Sequence, residues 1–291
     1  LVGSTVLTGS AQAPAPRAAR PAEPAHARPP VMAWRLLPAE QLYAAIDPAK
    51  LMQDVEAQTA MSRRYRDAGH QFWGRITGTE ADAENAKWMA DRFRALGMTD
   101  VHEQTFDLQP QWLPDSWSVV ASSKGKTLKI ETAQPTYLSV GTPAEGLDLE
   151  AAYVGMASDA ELATSKDVKG KAVFVYSIDT SSRHIGVQDN AIKRLSDRGA
   201  AAIFVIQGIP GNMTTQFYPV NAPVPTFTMG QRDGFAIRDL ILLSGEPTKV
   251  KVKLDVKRVP NLKSRTVFGT LLGMTDETVV VIAHRDGWFE G

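Results

Sequence analysis

The period of the apolar positions changes along the chain, and each change marks an element. Asp47-Pro48 places a capping side chain before a proline suited to the first helical position, which predicts a helix to about residue 67. Its apolar stripe, Leu51 and Val55 followed by Thr59, is thin. A stronger helix opens at Thr79, with Glu80 and Asp82 in its first turn; Ala86, Met89, Ala90, Phe93 and Leu96 recur at helical spacing until Gly97 stops it. Residues 101–108 then alternate as a strand near a sheet edge would.

From about residue 109 to 260 the pattern shortens. β-rich runs at 117–121, 127–130, 149–154, 172–176, 224–227 and 250–256 are separated by Pro, Gly and Ser clusters. One helical stretch, 187–198, ends at Gly199 and feeds a buried strand at 200–206. Many short strands with one or two helices predict a compact β-rich domain. Beyond it, 267–272 and 279–283 are expected to form strands around a turn at 273–277 and to pair with the strand near 101–108.

The final run carries the candidate chemistry. Val279, Val280, Val281, Ile282 and Ala283 predict a strand buried on both faces, with His284 at its carboxyl end, where loops of open α/β sheets gather ligands. Two positions on, Asp286 lies on the same side of an extended backbone. Its carboxylate can accept the proton of one imidazole nitrogen and leave the other free for a metal. An ordinary surface H-x-D after a core strand fits the same spacing.

Composition narrows the class. The 291 residues suggest about two domains, and 43% hydrophobic with 22% charged residues suits a globular chain with a core. Lys and Arg total 32 against 32 Asp and Glu, a net charge of +0 that gives no electrostatic case for nucleic acid or an anionic membrane. The absence of cysteine excludes disulfides, thiolate metal sites and cysteine nucleophiles. No G-x-S-x-G, phosphate-binding loop, G-x-G-x-x-G or H-E-x-x-H occurs. His26, His70, His102 and His184 lack partners at ligand spacing. Trp112, Trp117, Phe217 and Tyr218 suit core and turn packing better than a peptide-binding surface. Asn212-Met213-Thr214 is a formal glycosylation acceptor.

Residues 1–13 form a small-residue, mildly apolar stretch ending Ala11-Gln12-Ala13, like the end of a secretory signal peptide. Residues 14–30, rich in Pro, Ala and Arg, are expected to be an extended linker. No later apolar run approaches the roughly 20 residues that span a bilayer. The expected protein is exported, periplasmic or extracellular.

The wording Ala283-His284-Arg285-Asp286-Gly287-Trp288 resembles the first metal-ligand segment of the di-zinc aminopeptidase and glutamate carboxypeptidase family, clan MH. The resemblance implies that His284 binds zinc and that Asp286, counted with the catalytic group, orients the imidazole. It also implies two zinc ions, a bridging Asp about ten positions after the His, and a later acid/base Glu; the chain ends before these, and Glu290 matches neither by position. Gly74-Arg75-Ile76-Thr77-Gly78-Thr79 resembles a G-R-x-x-G-T segment of the same family that is mainly structural there. By its residues alone it is a glycine-containing turn that caps the following helix.

Residues 168–175, 199–203 and 224–227 resemble the protease-associated domain, which is inserted in exopeptidases of that family. The expected fold is α/β, a zinc-exopeptidase domain interrupted by that β-rich insert. The expected divisions are a signal remnant and linker at 1–30, peptidase segments at 31–110 and 261–291, and the insert at 111–260. The implied function is zinc-dependent exopeptidase action on peptides, with the fragment inactive alone. A transferrin-receptor-like binding protein of the same architecture is the alternative, and a lone recognition module is a third reading.

Overall fold

Phe174, Phe204 and Phe227 stack across three adjacent strands, with ring centroids 4.6 Å and 5.3 Å apart. All three are fully buried, and each such side chain contributes about 1.5–3 kcal/mol by leaving water. The structure, a computed structural model, describes residues 37–164, 167–178, 187–214 and 223–287. The signal-like segment and linker of 1–30, with His26, and also His184, Phe217, Tyr218, Trp288 and Glu290, lie outside these residues.

The chain divides into two compact units, Leu1–Met52 and Gln53–Gly291. In the first, a 3-10 helix spans Pro38–Ala45 and the Glu40 carboxylate accepts the Leu37 N–H at 3.0 Å. Asp47 caps helix α1 (Pro48–Asp67) as its sequence predicts, accepting the Ala49 N–H at 2.9 Å; from Gln53 on, the helix belongs to the second unit.

In the second unit, helix α2 (Glu80–Ala95) begins where Thr79 Oγ1 accepts the Asp82 N–H, and ends at Gly97, whose φ of +81° only glycine adopts cheaply. It packs on strand β10 (Lys263–Thr270), which pairs antiparallel with β1 (Thr99–Asp107). Gly269 permits the close approach: a Cβ there would meet Phe93 Cδ2 at 2.8 Å. Of the two runs expected to pair with the strand near 101–108, the one at 267–272 does so through residue 270, as part of β10.

The described strands between these two build one eight-stranded sheet: β2 (Gln111–Ser123), β3 (Lys126–Lys129), β4 (Gln134–Pro135), β5 (Leu147–Tyr153), β6 (Ala172–Ser177), β7 (Ala202–Gln207), β8 (Thr226–Met229) and β9 (Lys249–Val259). Their order is β3-β2-β9-β5-β6-β7-β8-β4, with β5 to β8 parallel and the other pairings antiparallel. On one face, Ile237 of helix α5 (Gln231–Leu243) joins Phe174, Phe204, Phe227, Val250 and Leu254. On the other, Leu162 of α3 (Asp159–Thr164) and Ile192 and Leu195 of α4 (Val187–Asp197) cover Val173, Val175, Ile203 and Val205. Covering on both faces explains the unbroken apolar runs of β6 and β7. In β9 the pattern alternates, with Val250, Val252 and Leu254 buried and Lys249, Lys251 and Lys253 exposed. The fold is α/β, as expected.

One expected element is corrected. Residues 279–283 are not a strand, and Val279 (86% exposed), Val280, Val281 and Ile282 face solvent instead of being buried on both sides. A strand needs a neighbour to take its N–H and C=O groups. Among the described residues none pairs with this run, so β-branched composition alone does not make a strand of it. Sequence reading also missed α5, whose apolar positions Phe235, Ile237, Leu240 and Ile241 follow a glycine at the capping position and enclose another at 234.

Candidate metal centre

His284 Nδ1 lies 3.0 Å from Asp286 Oδ1, the contact that the spacing predicts. A carboxylate is acceptor-only, so a neutral imidazole makes this bond by donating from Nδ1, and Nε2 is left with its lone pair. The His284 side chain is 96% exposed and Asp286 28%. Although no strand carries His284, its ring and the Asp286 carboxylate still meet on one side of the chain.

The residue between them points the other way. Arg285 is only 12% exposed, and its Nη2 lies 2.7 Å from Oδ1 of Asp82, which is 1% exposed. The same guanidinium donates to the carbonyls of Asp82 at 2.6 Å and Arg265 at 2.7 Å. Asp82 Oδ2 accepts the Gly78 N–H at 3.0 Å and the Ser264 hydroxyl at 2.8 Å. One buried carboxylate therefore ties the 74–79 turn, the start of α2 and β10 to the H-x-D segment.

The backbone of that segment is held as well. Asn85 Nδ2 donates to the Arg285 carbonyl at 2.8 Å, Arg75 Nε reaches the same oxygen at 3.4 Å, and the Gly287 N–H donates to the Arg75 carbonyl at 3.1 Å. Arg75 also donates to Ser62 Oγ of α1 at 3.2 Å. Burial lowers the Arg75 guanidinium below its ordinary pKa; the charge of Asp286 opposes this and that of Arg285 adds to it. The turn itself depends on Gly78, with φ at +89°, where a Cβ would meet Leu108 and Leu262 at 3.0 Å.

Sequence reading names His284 and Asp286 as candidates and passes over their neighbours Arg285, Asp82 and Asn85. A signal existed for Asp82. It stands four positions before Ala86, on the buried stripe of α2, where a carboxylate must find a partner.

The other described histidines have local contacts: His70 stacks on Tyr65 with centroids 3.6 Å apart, and His102 stacks on Phe268 at 5.1 Å. Trp112 and Trp117 spend their indole N–H groups on the carbonyls of Ser139 at 3.0 Å and Ala133 at 2.6 Å.

For zinc, the chemistry of the pair fits one ligand, an imidazole oriented by a carboxylate with its other nitrogen free. A zinc site takes three or four protein ligands. Among the described residues no three His, Asp or Glu side chains converge, so the set is not completed there and no chemical step is assigned to a metal.

No protein-family model matches the sequence, and no curated protein does. Among solved structures, the chain is similar to BSAP, a zinc aminopeptidase from Bacillus subtilis, at 21% identity over 73% of this chain and 46% of that one, with a TM-score of 0.48. It is similar to an aminopeptidase from Aneurinibacillus sp. strain AM-1 at 18% identity over 73% and 47%, TM-score 0.46. With a peptidase M28 precursor from Shewanella amazonensis the identity is 15% over 73% and 52%, TM-score 0.50. The chain spans about half the length of these structures. The likeness to the last is one of fold, the mixed α/β arrangement described above.

Proposed function

We propose that this chain is part of a zinc-dependent exopeptidase, an aminopeptidase or carboxypeptidase acting on peptide substrates, in which His284 binds zinc and Asp286 holds its imidazole. The observation that carries the reading is the His284 Nδ1 to Asp286 Oδ1 contact of 3.0 Å on an otherwise exposed ring. The resemblance of residues 283–288 to the clan MH ligand segment supports it, as does the order of parts along the chain. Fold alone would not, since one fold hosts many activities.

In the complete enzyme two zinc ions would supply Lewis acidity and activate a water for attack on the scissile carbonyl. This chain's part is to present one imidazole. Residues 1–291 by themselves are without peptidase activity in this reading; among the described residues no three His, Asp or Glu side chains group together. Residues 111–260 are the inserted protease-associated domain; the eight-stranded sheet is drawn wholly from 111–259, while β1 and β10 on either side pair with each other. Export follows from the Ala11-Gln12-Ala13 pattern, and no helix among the described residues is long and apolar enough to cross a membrane.

Zinc content and leucyl-anilide hydrolysis, measured on the protein carrying this chain in its native reading frame and on its His284→Ala variant, test the proposal. Two zinc ions per chain and activity lost on substitution are expected. A protein without bound metal sinks the enzyme reading and leaves the receptor-like binding protein in its place.

A further inference from the structure

We propose that Arg285 and Arg75 are positioning residues that set the His284–Asp286 pair before any metal arrives. The proposal rests on the reading of His284 as a metal ligand, and its argument is geometric. His284 and Asp286 meet at 3.0 Å with the His284 ring exposed, while the Arg285 side chain between them is drawn inward to Asp82. Fixing the side chain of Arg285 therefore fixes the direction in which its two neighbours project.

Arg285 is fixed unusually well for a residue outside any helix or strand. Its planar fork donates to the Asp82 carbonyl at 2.6 Å and the Arg265 carbonyl at 2.7 Å, with Ser264 Oγ at 3.4 Å, and it lies in ionic contact with Asp82 Oδ1 at 2.7 Å. Such a fork loses little further freedom for each bond it makes, so these contacts define one orientation. A lysine would keep the charge and reach only part of this set.

The main chain of the same segment is gripped as well. Arg75 takes part twice, through Nε on the Arg285 carbonyl at 3.4 Å and through its own carbonyl on the Gly287 N–H at 3.1 Å, and Asn85 adds its amide to the Arg285 carbonyl at 2.8 Å. No strand ladder supports residues 279–287 among the described residues. Groups of α2, β10 and the 74–79 turn thus hold residues 285–287 where no ladder does. Without them, His284 and Asp286 would sit on chain free to rotate about every backbone bond, and their 3.0 Å contact would be one conformer among many.

The test reads the imidazole directly, in the metal-free chain, by long-range nitrogen-proton NMR at a pH where histidine is neutral. His284 is assigned by its disappearance in His284→Ala. Wild type is expected to show the Nδ1–H tautomer. Arg285→Lys, with its fold checked by circular dichroism and amide dispersion, is expected to lose that single tautomer to a mixture, and Arg75→Lys to lose it in part. A folded Arg285→Lys protein with an unchanged His284 signal overturns the proposal. If Arg285→Lys does not fold, Arg75→Lys decides alone, and an unchanged signal there overturns it. A wild-type mixture of tautomers also overturns it, whatever metal binds. A fixed tautomer in a native protein that contains no zinc leaves the positioning intact and removes the peptidase reading.

Discussion

Arg285 Nη2 and Asp82 Oδ1 stand 2.7 Å apart in the interior, joining the candidate metal segment to the first turn of α2. Breaking a buried pair leaves the surviving charge without water or partner, which costs about 3–5 kcal/mol. Asp82→Ala is therefore expected to lower stability by about that much, measured as a shift in urea unfolding midpoint at unchanged slope. Adding Arg285→Met to Asp82→Leu should recover part of the loss, because no orphaned charge remains; a double variant as unstable as the worse single would show that the pair's charge is not what matters.

His284 should behave oppositely. Its ring is 96% exposed, so His284→Ala is expected to change unfolding free energy by no more than about 0.5 kcal/mol. A large loss in urea unfolding would mean that the residue serves the fold and not a ligand.

The contrast between these residues shows what the sequence could reveal. Helix α2 was legible from Thr79 to Gly97 because its cap, stripe and stop are all local. The parallel strands β6 and β7 were legible because burial on both faces leaves an apolar run. His284 and Asp286 were legible because the spacing of two puts both on one side of extended chain. Arg285 was not, since its partners Asp82, Asn85 and Arg265 are remote in sequence or hidden in helical pattern. Residues 279–283 were misjudged for the converse reason: β-branched composition states a preference, and the strand also needs a neighbour that the described residues do not supply.

Helix α5 escaped notice through its glycines, and Gly234 explains why one is there. A Cβ at this position would lie 2.2 Å from Ile206 Cγ2, so helix and sheet touch through the missing side chain. Gly234→Ala raises helix propensity by about 1 kcal/mol but forces the helix off β7, an overpacking cost of about 1–3 kcal/mol. A net loss of stability is expected in urea unfolding, and a gain would show that α5 can shift freely.

Acid should loosen the start of α3. Ser158 donates to Glu161 from its hydroxyl at 2.7 Å and its N–H at 2.9 Å, and the Met156 N–H adds a third donor at 3.1 Å. These bonds, the Ser158 hydroxyl foremost, hold the Glu161 carboxyl below its ordinary pKa. The folded state thus favours the charged form. Its contribution is fully present above the unfolded value of about 4.3 and is lost as pH falls through the lower folded value. Carboxyl NMR titration should place Glu161 below the exposed glutamates, and Ser158→Ala should raise it towards them.

The start of α5 makes the last case, because its cap is borrowed. Gly230 at the capping position has no side chain, and Asn212 from the loop after β7 supplies the acceptor: its Oδ1 takes the Asp233 N–H at 3.0 Å while its Nδ2 donates to Asp233 Oδ1 at 2.8 Å. Asp233 Oδ2 in turn accepts the Thr132 N–H at 3.0 Å and hydroxyl at 2.7 Å. Asn212→Ala should cost about 1 kcal/mol, the ordinary value of a lost cap. Asn212→Asp should cost more at neutral pH, since it keeps the acceptor but sets a second carboxylate against Asp233, and the excess should fade as acid protonates the pair. Urea unfolding of both variants at neutral and acid pH separates the two effects. Asn212→Asp as stable as Asn212→Ala at neutral pH, or more so, would show that repulsion between the two carboxylates does not outweigh the acceptor that aspartate keeps.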